Sequence, residues 1–175
     1  MKPIFIVDID GTVCDSSALI DKTTGLYHAL VDSWDDKQML ACLEEACRQP
    51  VVSGAEVLST LMRLGYHAVF LTGRSEALCD SLGGRRLTME WLCGTFGMPE
   101  GVGLFMRPKN DNRGNAEAKL DVFERQVLPS HPHGNFVFLD DDMSVLAAYA
   151  KHGLVLKAPE CWAALAHFLP KDPGQ

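Results

Sequence analysis

The feature that most constrains this chain is the run Ile4-Phe5-Ile6-Val7-Asp8-Ile9-Asp10-Gly11-Thr12. Four apolar residues, three of them β-branched, lead straight into two carboxylates spaced i and i+2. A continuous apolar run that short reads as a strand buried on both faces, as in the middle of a parallel sheet. Side chains alternate along a strand, so Asp8 and Asp10 share one side wherever the strand stays regular. Gly11 then lets the chain turn sharply and swing the second carboxylate clear of the sheet. Open α/β sheets bind their ligands beyond the carboxyl ends of the strands, which is where these acids fall. Two negative charges so close repel, and a divalent cation is a common way to offset that cost.

The rest of the chain alternates strand and helix patterns. A polar segment from Val13 to Asp36 precedes a helical pattern over 37–48, ended by Pro50. Ser53 is placed to cap a second helix carrying Val57, Leu58, Leu61 and Leu64 on one face, with Gly65 as its stop. Tyr66–Leu71 reads as a buried strand ending in Thr72-Gly73-Arg74. A helix over 85–96 turns Leu87, Trp91 and Leu92 inward, and 103–106 is a short strand. A helix over 116–127 stops at Leu128-Pro129. Residues 136–139 form a strand ending in Asp140-Asp141-Asp142, and Asp142 caps the helix behind it. A last strand at 154–156 and a helix around 161–168 complete the set. This alternation implies a doubly wound (Rossmann-like), mainly parallel α/β sheet with helices on both faces. The first crossover carries more chain than it needs. Residues 13–52 are therefore expected to form a small helical cap inserted after the first strand. The whole of 1–170 is read as one domain and 171–175 as a disordered tail.

The totals narrow the function. A formal net charge of −7 over 175 residues argues against a broad electrostatic grip on nucleic acid or an anionic membrane. No apolar run approaches the roughly 20 residues of a membrane span. The strand begins right after Met-Lys-Pro, leaving no room for a secretory signal. Six cysteines without C-x-x-C spacing read as reduced thiols, so a cytoplasmic protein is expected. His131-Pro132-His133 lacks a Cys or acid at ligand spacing and reads as loop. Trp34, among the acids of the insert, is a rim residue able to stack on a base.

Four polar clusters fall at strand ends or just behind them: Asp8/Asp10, Thr72/Gly73/Arg74, Lys119, and Asp140/Asp141. In a doubly wound sheet the strand carboxyl ends face one way, so these clusters can share one crevice. Their types fit phosphoryl transfer. One carboxylate attacks phosphorus and a second moves the proton. Hydroxyl, backbone N–H and ammonium groups hold the equatorial oxygens, and further acids complete a Mg²⁺-type site. Each piece has a plainer reading. D-x-D-G-T alone is a common turn composition, and lysines on helix faces are usually solvated, with Lys109 a rival to Lys119.

Asp8-Ile9-Asp10-Gly11-Thr12, Leu71-Thr72-Gly73-Arg74, Lys119 and Asp140-Asp141 resemble, in order, the four motifs of the haloacid dehalogenase-like (HAD) phosphohydrolases. The resemblance runs from Ile4 to about Leu156, the insert excluded. It implies that Asp8 is the nucleophile and Asp10 the acid/base. It further implies that Thr72, Gly73, Arg74 and Lys119 bind phosphate, and that Asp8, Asp10 (through its carbonyl), Asp140 and Asp141 hold Mg²⁺.

A narrower resemblance is carried by Phe105-Met106-Arg107-Pro108, Asp111-Asn112-Arg113, Lys119, Arg74 and Leu139-Asp140-Asp141 with Val145. These are similar to the 3′-phosphatase domain of phage-type polynucleotide kinase-phosphatases. That likeness implies a 3′-phosphate on a nucleic acid end as substrate, with Arg107 and Arg113 as substrate-binding residues. The chain departs from the pattern twice. It has no P-loop, and Asn115 stands four residues before Lys119, where an acid is expected.

Three alternatives follow. One is a HAD phosphatase for nucleoside 5′-monophosphates or another small phosphoester. A receiver-like phospho-Asp module is another, although receivers place the acid pair early and the acceptor Asp in the middle. A nucleotide-binding module without chemistry would need a G-x-G-x-x-G after a strand. The sequence leaves oligomeric state open.

Overall fold

The apolar run Ile4–Val7 forms strand β1, fully buried, and its alternate side chains enter two separate cores. Phe5 and Val7 point to one face with Phe70, Leu92 and Trp162. Ile4 and Ile6 point to the other with Phe123, Phe138 and Tyr149. Period-two alternation with both faces apolar is what a central parallel strand requires.

The computed structural model describes residues 2–17, 36–76, 83–98, 102–108, 111–167 and 169. After β1 come α1 (Asp36–Ala46), α2 (Val57–Arg63), β2 (His67–Ser75), α3 (Gly84–Phe96) and β3 (Gly103–Arg107). Then follow α4 (Asn115–Val122), β4 (Phe136–Asp140), α5 (Met143–Tyr149), β5 (Gly153–Lys157) and α6 (Glu160–His167). The five strands are all parallel in the order β3-β2-β1-β4-β5, with Ile4–Val7 paired to His67–Phe70 on one side and Phe136–Leu139 on the other. The sheet is α/β, doubly wound and Rossmann-like, as the alternation of patterns implied. The strand order reverses at β1, so the acids that follow it lie at the switch point. No helix among the described residues is long and apolar enough to cross a membrane.

The two ends of the segment 13–52 lie side by side. Cys14 pairs with Val51 in an antiparallel bridge, Asp15 N–H donates to Pro50 O at 2.8 Å, and Val52 N–H donates to Val13 O at 3.0 Å. Residues 18–35, including Trp34, lie outside the described residues, as do Lys109 and the tail 171–175.

Two local expectations are corrected. Ser53 does not cap α2: residues 53–56 form a turn, and the helix starts at Val57 behind Glu56 without a side-chain cap. Gly54 explains this. It has a φ of +87° and backs onto Trp162 Cβ, so the chain must complete a left-handed turn before a helix can begin. The second expectation was that the helix expected over 116–127 would end at Pro129. Instead α4 passes into a π-turn (Phe123–Val127) and a 3-10 turn (Leu128–Ser130). Pro129 lies at the start of that turn, where its missing N–H has no bond to make. β2 ends in Thr72-Gly73-Arg74-Ser75, as the sequence implied, with a register shift between Thr72 and Ser75.

Candidate active site

β1 ends where Asp8 N–H donates to Leu139 O at 2.9 Å, which locks the Asp8 position beside the end of β4. Asp140 is the last residue of β4, so two carboxylates from neighbouring strands emerge together. Lys119 arrives from α4, packed over the same end of the sheet. Its Nζ donates to Asp8 Oδ1 at 2.7 Å and Asp140 Oδ2 at 2.8 Å. All three side chains are no more than 5 % exposed. An ammonium so deeply buried would ordinarily lose its charge, but two carboxylates more than offset the desolvation and raise its pKa. Asp8 is pushed up to about 7 by burial, with Lys119 opposing and Asp140 and Asp10 adding to the rise. Burial likewise raises Asp140 and Asp141.

Asp8, Asp140 and Asp141 each offer a carboxylate oxygen, and these oxygens lie within 4.8 Å of one another. Three acids against one lysine leave uncompensated negative charge. That hard oxygen donor set is the kind Mg²⁺ takes, so the residues fit a divalent cation. Gly11 makes the approach possible: its φ is +85°, and a Cβ there would overlap the Asp141 carboxylate. The loop after β1 closes tightly, with Val13 and Cys14 N–H groups both donating to Ile9 O. This curls the buried Thr12 hydroxyl back to Asp8 Oδ2 at 3.3 Å.

Asp10 lies outside that triad. Its carboxylate receives two bonds from Arg74, Nη2 to Oδ1 at 2.7 Å and Nε to Oδ2 at 2.8 Å. Arg74 is itself held: Nη1 donates to the buried Thr88 Oγ1 at 3.1 Å and contacts Cys47 Sγ, at the foot of the insert, at 3.7 Å. Burial works against the Arg74 charge, but Asp10 outweighs it and raises the pKa further. Thr72 is buried on β2, and its Oγ1 accepts the Arg74 N–H at 3.2 Å.

The two outlying arginines have other engagements. Arg113 is forked onto Asp111 (2.7 Å) and Asp121 (3.1 Å). Arg107, at the end of β3 beside Ser75, donates to Arg113 O at 3.2 Å, and its buried Nε has no partner among the described residues. Asp142 caps α5, accepting Ser144 N–H at 2.8 Å, as its position implied. An apolar groove of about 440 Å³, lined by Lys2, Leu61, Tyr66 and Leu154 among others, lies at the amino ends of the strands, away from these groups.

Sequence reading identified neither Thr12 nor Thr88 as part of the site. For Thr88 there was a signal: Gly84, Thr88, Leu92 and Phe96 are spaced by four and all buried. A lone hydroxyl on an apolar helix stripe needs a buried partner.

A five-stranded parallel sheet with an acid triad and a buried lysine at its switch point is the arrangement that the resemblance to HAD phosphohydrolases implied. The match of residues 2–159 to the model of the polynucleotide kinase PNKP phosphatase domain shows the family: the chain belongs to it, and is a phosphatase. A chain of the Pnkp1/Rnl/Hen1 RNA repair complex matches with a TM-score of 0.60 at 18% identity, over 90% of this chain and 42% of that one. The protein thus spans less than half the length of that relative. A phosphoserine phosphohydrolase-like protein from Francisella tularensis matches at TM-score 0.53 and 13% identity, over 87% of this chain and 83% of that one. The Mycobacterium tuberculosis Protein Tyrosine Kinase A matches at 0.55 and 16%, over 99% and 91%. Identities this low speak to the fold alone. Among curated proteins no relative matches.

Proposed function

We propose that this protein is a Mg²⁺-dependent phosphomonoesterase that works through an aspartyl-phosphate and removes 3′-phosphates from nucleic acid ends or nucleotides. The observation that carries the reading is the buried Lys119 bridging Asp8 and Asp140. Asp8 supplies the nucleophilic oxygen; the bond from phosphorus to the ester oxygen breaks as the Asp8–phosphorus bond forms. Asp10, aimed by Arg74, gives a proton to the leaving alcohol, then takes one from the water that hydrolyses the intermediate. Lys119 and the Thr72 hydroxyl bind the phosphoryl oxygens, with Gly73 N–H and Arg74 at the same rim. Asp8, the Asp10 carbonyl, Asp140 and Asp141 would hold Mg²⁺, which neutralises charge developing on the transferring group.

Membership of the PNKP phosphatase-domain family supports a 3′-phosphate, and so does the likeness to a chain of an RNA repair complex. In this reading residues 13–52 are a small cap on a single domain, Arg107 and Arg113 meet the substrate beyond the scissile phosphate, and the protein works in the cytoplasm. The net charge of −7 favours the second reading, a small nucleotide substrate. The test is phosphate release in Mg²⁺ from 3′-phosphorylated and 5′-phosphorylated oligonucleotides and from mononucleotides. Asp8→Asn and a chelator serve as controls. Faster release from the 3′ end is expected; equal rates at both ends, or activity on mononucleotides alone, would end the polynucleotide claim.

A further inference from the structure

Trp162 is fully buried on α6, just past the stretch that matches the phosphatase-domain family. Its indole Nε1–H donates to Thr12 O at 2.9 Å, a bond between residues 150 apart in sequence. Thr12 is itself wholly enclosed, and no backbone N–H among the described residues donates to its carbonyl. A buried acceptor left without a donor is costly, so the indole ties α6 to the loop that follows β1. The same residue backs a second segment: a Cβ on Gly54 would lie 3.0 Å from Trp162 Cβ. Trp162 thus lies against both the loop after β1 and the turn that precedes α2.

The Thr12 side chain carries this brace to the chemistry. Its hydroxyl donates to Asp8 Oδ2 at 3.3 Å, while Lys119 Nζ donates to Asp8 Oδ1 at 2.7 Å. Each oxygen of the Asp8 carboxylate therefore has a donor of its own, and the two together limit its rotation. Lys119 is fixed by α4. Thr12 is fixed by the tight loop and, through its carbonyl, by Trp162.

We propose that Trp162 is a positioning residue: its indole holds the Thr12 peptide so that the Thr12 hydroxyl meets Asp8 and sets the aim of that carboxylate. The proposal rests on the phosphatase reading, in which Asp8 is the nucleophile. Displacement of a nucleophile slows the chemical step without weakening substrate binding, so the effect belongs in kcat and not in KM.

Trp162→Phe would remove the donor but also leave a cavity. Site-specific replacement of Trp162 by 3-benzothienylalanine avoids this, since a ring sulfur stands where the N–H was and the shape is kept. That protein is assayed on p-nitrophenyl phosphate in Mg²⁺ beside Thr12→Val, Thr12→Ser and the analogue combined with Thr12→Val, with urea unfolding of each. The analogue is expected to lower kcat about fivefold, the scale of one hydrogen bond, with KM within about twofold of the parent. Thr12→Val is expected to lose about tenfold, and Thr12→Ser, which keeps the hydroxyl, to stay within about threefold. The combined protein is expected to match Thr12→Val alone, because both changes act through one hydroxyl. A lower urea midpoint with parental kcat in the analogue would overturn the proposal, since Trp162 would then serve stability alone. Losses that multiply in the combined protein would overturn it too, because Trp162 would act by a route other than Thr12. If the parent itself hydrolyses no phosphomonoester, the phosphatase reading fails and the proposal falls with it, which the parent shows before any variant is made.

Discussion

Lys119 Nζ stands 2.7 Å from Asp8 Oδ1 with both side chains withdrawn from solvent, one on a helix and the other at the end of the central strand. Removing one partner of such a pair leaves a buried charge uncompensated, which costs about 3–5 kcal/mol in comparable cases. Here Asp140 loses the same cation. Lys119→Met is therefore expected to lose roughly 3 kcal/mol at pH 8 by urea unfolding in chelator. It should lose less at pH 5, where the carboxylates protonate. On the proposed mechanism, in which Lys119 meets the phosphoryl oxygens, kcat is also expected to fall by about 10²–10³. A variant as stable as the parent at pH 8 would contradict the burial argument.

The acids of the site set a pH dependence of unusual sign. Burial, above all, pushes Asp8 up to about 7 in the folded protein, against 3.8 for an ordinary aspartate. Between those limits the native state holds a proton that the unfolded chain has released. Stability without metal is thus greatest below about pH 4 as far as Asp8 is concerned, and declines as pH rises toward 7. Asp140 and Asp141 shift the same way, while the lowered acids Asp15, Asp142 and Glu124 act in the opposite sense, on the acid side of that window. A cation needs ionised ligands and so displaces these protons. Addition of Mg²⁺ to metal-free protein at pH 6.5 is expected to release protons, read with an indicator dye in weak buffer. It should also flatten the fall in urea midpoint between pH 4 and 7. Binding without proton release would mean that Asp8 is already ionised.

Much of this architecture was legible because it rests on local chemistry. Ile4–Val7 could be nothing but a buried strand, and the acids after it had to lie at the ligand end of a parallel sheet. Lys119 was also readable, though only through its place among the motifs, since no local pattern separates a buried lysine from a solvated one. What the sequence did not convey depends on contacts between distant segments. The Arg74 fork onto Asp10 joins residues 64 apart in sequence, and the Thr88 bond joins residues 14 apart. The false start at Ser53 has the same origin: Gly54 meets Trp162, far along the chain.

Tyr149 offers a stability test away from the chemistry. Its ring stacks on Phe138 at 4.4 Å and meets Phe123 edge-on, yet its buried hydroxyl has no hydrogen-bond partner among the described residues. An unpaired buried hydroxyl costs about 1–3 kcal/mol in lost hydration. Tyr149→Phe keeps the ring contacts and removes that cost. The urea midpoint is expected to rise by the equivalent of about 1 kcal/mol, with kcat unchanged. Destabilisation would reveal a partner, such as an ordered water, on the hydroxyl.

The aim of Asp10 depends on a residue two steps away. Arg74 makes two parallel bonds to Asp10, a geometry that lysine's single ammonium does not reproduce. Arg74 is in turn steadied by Thr88 on the buried stripe of α3. Arg74→Lys keeps the charge but loses the fork; with Asp10 as the general acid proposed above, kcat is expected to fall by about 10²-fold. Thr88→Val nearly preserves volume and removes only the hydroxyl. It is expected to lower kcat about three- to tenfold, a loss of about 1 kcal/mol in keeping with one hydrogen bond. If Arg74 is the route by which Thr88 acts, Thr88→Val adds nothing once Arg74 is Lys, and a double-mutant cycle on kcat reads that coupling directly. Additive losses in the cycle would mean that Thr88 serves the helix alone and that Asp10 is aimed by Arg74 without its help.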